Sequence, residues 1–160
     1  MAPVNIPDSD ARMALFAGSF DPFTVGHASI VERALPLFDK IIIAVGVNAE
    51  KAGGSPAAER IEFINSIYAR CPENVEVIAY KNELTVDLAR RLGAKWLLRG
   101  VRSVKDFEYE RDLADLNRKL SGLETLLLYS LPEYAGISSS AVRELRSYGR
   151  DVSEFLPRPI

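Results

Sequence analysis

The sequence predicts a single α/β domain, built as a five-stranded parallel sheet with helices on both faces. Three observations lead to that class. From residue 13 to 150, short β-branched or apolar runs alternate with stretches whose apolar residues recur every three or four positions. The run KIIIAVGVN (40–48) is apolar throughout, as in a strand covered on both sides. The chain has 160 residues, and a length of about 100–200 suits one domain. Parallel strands need right-handed crossovers, which place helices on both faces.

The elements follow in order. MALFAGS (13–19) is the first strand, closed by Gly18. From His27 to Phe38, the residues Ile30, Val31, Ala34, Leu35 and Phe38 share one helical face, and Pro36 ends or bends the helix early because it has no N–H to donate. Residues 40–48 form the second strand. Ser55-Pro56 is read as an N-cap followed by proline at the first helical position, and Ile61, Ile64, Ile67, Tyr68 and Cys71 face one side of that helix. VEVIAY (75–80) is the third strand, and Thr85 to Leu92 a short helix ended by Gly93. KWLLRGV (95–101) is the fourth strand, followed by a helix from Phe107 to Leu120 stopped by Gly122. TLLLYS (125–130) is the fifth, and Ser139 to Tyr148 the last clear helix, stopped by Gly149. One more turn is expected in DVSEFLPRPI. Trp96 is expected in the sheet and Cys71 in a helix–sheet gap. Residues 1–12, with two prolines and three charges, are expected to form a loose arm before a domain spanning 13–160.

Composition narrows the function. With 20 basic and 22 acidic side chains the net charge is −2, which argues against a globally basic nucleic-acid binder. One cysteine rules out an internal disulfide framework and a Cys-rich zinc site, and one histidine rules out a His-rich metal centre. No apolar run approaches the ~20 residues of a membrane helix, and the start lacks the apolar centre of a secretion signal. The expectation is a soluble, cytoplasmic protein without membrane or nucleic-acid partners.

Open parallel sheets bind ligands at the carboxyl ends of their strands, where strand order reverses. That rule selects residues 17–27, 47–55, 81–86, 99–106 and 130–140. In the first, Gly18 ends a strand, a proline-containing turn follows, and Gly26-His27 opens a helix. A helix N-terminus presents unpaired N–H groups and partial positive charge to phosphate, and an imidazole there adds a donor. Taken alone, a single histidine is more often a surface or satisfied structural residue, and it is the place of His27 right after the first strand, at a helix N-terminus, that favours the functional reading. Neither GxxxxGK[ST] nor GxGxxG occurs, so phosphate, if bound, is bound by other means.

The segment Ser19-Phe20-Asp21-Pro22-x-Thr24-x-Gly26-His27 resembles the (T/S)FDPxTxGH signature of the nucleotidyltransferase superfamily, and Ile137-Ser138-Ser139-Ser140 resembles its second signature. Between them, Arg99-Gly100-Val101-Arg102 with Asp106-Phe107-Glu108-Tyr109-Glu110 is similar to the RG(L/I/V)R…DFEYE segment of the phosphopantetheine adenylyltransferase family, as are Asn117-Arg118, Pro132-Glu133-Tyr134 and Phe155-Leu156-Pro157. The likeness runs from about residue 13 to 157. It implies a Rossmann-like nucleotidyltransferase domain that moves the adenylyl group of ATP to 4′-phosphopantetheine, giving dephospho-coenzyme A and pyrophosphate in coenzyme A biosynthesis. The implied route is direct in-line attack without a covalent intermediate. The nucleophile is already an anion, so no general base is needed, and positioning and charge neutralisation dominate.

The resemblance also implies roles. His27 is the catalytic residue, stabilising the α-phosphate in the transition state. Ser19, Lys51, Thr85 and Arg99 meet the acceptor: Lys51 and Arg99 its phosphate, Thr85 its pantetheine arm. Ser19 and the Phe20 backbone, His27, Gly100, Val101, Arg102, Glu110, and the stretch Tyr134, Ala135, Gly136, Ile137, Ser138, Ser139 and Ser140 meet ATP. Each has a plainer reading in isolation: a solvated lysine after a strand, a basic surface pair, a soluble helix face, a capping serine. Asp106 and Glu108 are read as structural. Magnesium is implied as a companion of ATP, with no carboxylate cluster to identify a protein ligand. Relatives imply a homohexamer, and coenzyme A as a further ligand. Two other classes stay open at this point: a sister nucleotidyltransferase with another phosphate acceptor, and a non-catalytic nucleotide-binding domain.

Overall fold

The computed structural model describes residues 11–47 and 54–160. Five strands, β1 (Met13–Gly18), β2 (Lys40–Gly46), β3 (Val75–Tyr80), β4 (Trp96–Val101) and β5 (Glu124–Tyr129), pair in parallel in the order β3-β2-β1-β4-β5. Five helices alternate with them: α1 (Val25–Ala34), α2 (Ala57–Ile67), α3 (Thr85–Leu92), α4 (Val104–Ser121) and α5 (Ser139–Ser147). The chain winds outward from β1 to β3, then crosses back to β4 and on to β5. Strand order therefore reverses between β1 and β4.

Both sheet faces are covered, as the unbroken apolar strands require. Side chains alternate along β1. Ala14 and Phe16 join Ile41, Ile43 and Leu98 beneath Ile30, Val31 and Ala34 of α1 and Ile64 and Ile67 of α2. Leu15 and Ala17 join Ile42, Ala44 and Leu97 beneath Val86, Leu88 and Ala89 of α3. Trp96 packs beside Phe38, with ring centroids 5.7 Å apart, and Cys71 packs partly buried against the first cluster. Gly93 and Gly122 end α3 and α4 at φ +78° and +76°, a region that glycine enters without a Cβ clash.

Several helix ends differ from expectation. α1 begins at Val25, two residues before His27, because Thr24 caps it. α4 begins at Val104 rather than Phe107, since the Ser103 side chain accepts from Asp106 N–H. Pro56, not Ser55, occupies the N-cap of α2, and no side-chain cap bond forms there; the Ser55 N–H donates instead to the Asp21 carboxylate. Pro36 acts as expected: α1 ends at Ala34 and a 3-10 turn covers Leu35–Leu37. The expected tail turn is Ser153–Phe155. Residues 1–10 of the expected arm lie outside the described residues, while Arg12 is bound to Asp39 through its backbone and side chain.

Register explains where a ligand fits. β1 and β2 pair along their whole length, from Met13↔Lys40 to Gly18↔Val45. β1 and β4 pair only at Ala14↔Trp96 and Leu15↔Leu97. Beyond those pairs the two strands part, and their carboxyl ends bound an open crevice at the reversal of strand order.

Candidate active site

A cavity of about 330 Å³ occupies this crevice. The turn after β1 contributes Ser19 and Phe20, α1 contributes His27, β4 contributes Arg99 and Gly100, the position after β4 contributes Arg102, and the entry to α5 contributes Ile137 to Ser140. Three stretches far apart in sequence, 19–27, 99–102 and 137–140, thus meet in one place.

The imidazole is held by the helix it helps to begin. Thr24 Oγ1 accepts from His27 N–H, and Thr24 N–H donates to His27 Nδ1 at 3.0 Å. This is a capping box with histidine in the usual place of glutamate. An Nδ1 that accepts leaves the ring proton on Nε2, the edge away from Thr24. Phe16, Phe20 and Phe23 surround the ring, at centroid distances of 6.3, 5.1 and 5.4 Å. Burial among them, and then the charges of Arg102 and Arg99, hold the His27 pKa down at about 4. At neutral pH the imidazole is uncharged and offers one donor.

Arg99 bridges the gap between the parted strands. Its Nη1 donates to Ala17 O at 2.9 Å, and its Nε and Nη2 bind the two oxygens of Glu110 at 2.9 and 2.7 Å. Guanidinium has five N–H groups, so its orientation is fixed while donors remain for an anion. Glu110 is buried on α4. Arg102 is steadied by Asp106, which takes its backbone N–H at 3.2 Å and approaches its Nε at 3.5 Å.

The three serines differ in what they touch. Ser138 caps α5 by accepting from Ala141 N–H, Ser139 Oγ donates to Pro22 O at 2.8 Å, and Ser140 Oγ accepts from Arg143. The hydroxyls thus hold protein groups, and the start of α5, whose first N–H groups have no partner within the helix ladder, borders the cavity.

The remaining expected residues lie elsewhere. Thr85 and Glu110 line a smaller cavity of about 30 Å³, which shares Ala17 and Arg99 with the main one. Val101 is buried at the end of β4. Tyr134, Ala135 and Gly136 form the turn that leads to α5, and a Cβ on Gly26 would lie 3.8 Å from Tyr134 Cβ. Lys51 lies outside the described residues. Among those described, no three His, Cys, Asp or Glu side chains group to hold a metal ion, and no helix is long and apolar enough to cross a membrane.

Three supporting residues were given no role from the sequence. Thr24 had a signal, the T-x-x-H spacing of a capping box. Arg60 and Arg143 had none, since each reads as an ordinary polar residue on a helix.

Chemically, the site is a crevice with two oriented guanidinium groups, one neutral imidazole donor and a helix N-terminus, suited to a polyanion. Comparisons agree. The family model described as cytidylyltransferase-like matches residues 15–145. The phosphopantetheine adenylyltransferase of Porphyromonas gingivalis is 59% identical over 91% of this chain and 94% of its own. That of Bacteroides thetaiotaomicron is 49% identical over 91% and 95%. A bifunctional NMN adenylyltransferase/ADP ribose pyrophosphatase from Francisella tularensis, solved with AMP and a manganese ion, superposes with a TM-score of 0.69 at 14% identity, over 91% of this chain and 44% of that one.

Proposed function

The chain belongs to the phosphopantetheine adenylyltransferase family, within the cytidylyltransferase-like fold, and on that premise we propose that the main cavity is where ATP and 4′-phosphopantetheine meet. The enzyme transfers the adenylyl group of ATP to 4′-phosphopantetheine, giving dephospho-coenzyme A and pyrophosphate. One observation carries the placement: His27, Arg99, Arg102 and the start of α5 line one crevice.

In this reading the acceptor phosphate attacks the α-phosphorus in line, the new P–O bond forms as the bond to pyrophosphate breaks, and no enzyme group is adenylylated. His27 does not take a proton. Its Nδ1 is engaged by Thr24 N–H and its Nε2 already carries hydrogen, so it donates to the α-phosphate oxygens where charge builds. Ser19 and the Phe20 backbone stand beside it. Arg102, Gly100, Val101 and the turn from Tyr134 to Ser140 hold ATP, with the first turn of α5 directed to its phosphates.

Arg99 takes the acceptor phosphate, and Lys51 assists. Because the smaller cavity opens beside Arg99 and contains Thr85, the pantetheine arm extends that way. Glu110 acts first by holding Arg99; a carboxylate has about four lone-pair directions, which leaves capacity for a nucleotide hydroxyl. Magnesium would accompany ATP on its phosphates, where it would neutralise charge. Coenzyme A, which contains the product's parts, would occupy the same cavities. The reaction is placed in the cytoplasm. Self-association, to the homohexamer that relatives imply, would use α4, which exposes Tyr109, Leu116 and Leu120 on one side.

The direct test is pyrophosphate release from ATP with a panel of acceptors. Phosphopantetheine alone should support turnover, with dephospho-coenzyme A identified by mass. Equal turnover with nicotinamide mononucleotide or glycerol phosphate would refute the acceptor assignment.

A further inference from the structure

Phe20 sits in the left-handed region, at φ +47°, where an aromatic residue stays only when its surroundings hold it. A guanidinium grips the carbonyl on each side. Arg60 of α2 donates to Ser19 O, and Arg143 of α5 donates to Asp21 O. Arg60 also donates to Gly46 O at 3.1 Å and, from Nε, to Ser55 O at 3.1 Å. One side chain therefore joins the ends of β1 and β2 to the approach of α2.

Ser19 O and Phe20 N–H belong to a single planar peptide and lie on its opposite edges. Arg60 borders a separate surface pocket that Phe20 also lines, whereas Ser19 lines the main cavity together with Phe20, and Arg60 does not. Drawing the carbonyl toward Arg60 turns the N–H the other way. A half-turn of this peptide would carry the φ of Phe20 from positive to negative values, which its Cβ prefers. It would also put a carbonyl oxygen where the amide hydrogen had been. Local backbone preference thus favours the orientation that repels an anion, and Arg60 opposes it.

Building on the reading of the main cavity as the adenylyl-transfer site, we propose that Arg60 is a positioning residue for the reaction. It holds the Ser19–Phe20 peptide with its N–H toward the main cavity as a preorganised donor to the α-phosphate, while Arg143 secures the far side of Phe20. The test compares Arg60→Met, Arg60→Lys and His27→Ala with the wild type by initial rates and thermal melting. Arg60→Met should lower kcat about 10–100-fold, the scale of a lost or misplaced preorganised donor, with KM for both substrates nearly unchanged. Arg60→Lys, which cannot serve three carbonyls at once, should recover part of the rate. Wild-type kcat in a folded Arg60→Met enzyme, or a loss confined to KM, overturns the proposal. Should Arg60→Met not fold, a folded Arg60→Lys enzyme with wild-type kcat does the same. If His27→Ala also turns over normally, the site reading itself fails; normal Arg60 variants beside an impaired His27→Ala dispose of the Arg60 role alone.

Discussion

The backbone N–H of Thr24 donates to Nδ1 of His27 at 3.0 Å, so the residue that caps α1 also sets the tautomer of the imidazole three positions on. Because His27 is the only histidine in the chain, its ring nitrogens can be followed by NMR without assignment. At neutral pH the spectrum should show the Nε2–H form, with a titration midpoint at about 4. A midpoint at the ordinary 6.5 would show that neither burial nor the arginines act on the ring.

The same shift makes stability depend on pH. Below 6.5 the unfolded chain takes up a proton on His27 that the folded chain refuses until about 4. The folded state therefore has this group's full contribution above 6.5 and loses it progressively as pH falls toward 4. Urea unfolding of the wild type and His27→Ala should converge across that window. A gap that is constant with pH would contradict the sign.

Removing the imidazole should matter for rate more than for binding. His27→Ala is expected to lower kcat by roughly 10²–10³, as for loss of one preorganised donor, with a smaller change in KM. Near wild-type turnover would take His27 out of the chemistry.

Arg99 and Glu110 should act on the same ligand, because Glu110 holds the Arg99 guanidinium. Arg99→Ala is expected to weaken phosphopantetheine while ATP affinity is largely kept, measured by calorimetry. Glu110→Gln should shift the same ligand in the same direction, and cost about 1.5–3 kcal/mol of stability because a bond to a charged group is weakened. Both ligands weakened alike by Arg99→Ala would overturn the acceptor assignment.

Gly100 should prove sensitive through packing. A Cβ there would meet Ile30 Cγ1 at 3.1 Å, on the helix that carries His27. Gly100→Ala is expected to cost about 1–3 kcal/mol by overpacking, and close to nothing in an Ile30→Ala background, where the contact is gone. Equal costs in the two backgrounds, by chemical denaturation, would show that Ile30 is not the obstacle.

The fold was legible because its signals are local. The apolar run of β2 marks a strand buried on both faces, and the spacing of Ile64 and Ile67 marks the inner side of α2. Helix starts were less legible: the Thr24 and Ser103 caps moved α1 and α4 earlier, since a cap is decided by one hydroxyl reaching one N–H. Within the site, Ser19, His27, Arg99, Arg102 and Ser138 could be named in advance because they fall at strand ends in a recognisable pattern. Their support could not. Arg60 reaches a carbonyl 41 residues away and Arg143 one 122 residues away.

By itself, then, the order of residues settled the class of fold, the strand ends that line the crevice and the family, because periodicity, turn residues and short patterns are written along the chain. The tertiary structure alone decided that β1 and β4 part after two pairs, that Glu110 faces Arg99, and that two arginines hold Phe20 in place. Those outcomes rest on contacts through space between segments whose separation along the chain carries no trace of their nearness.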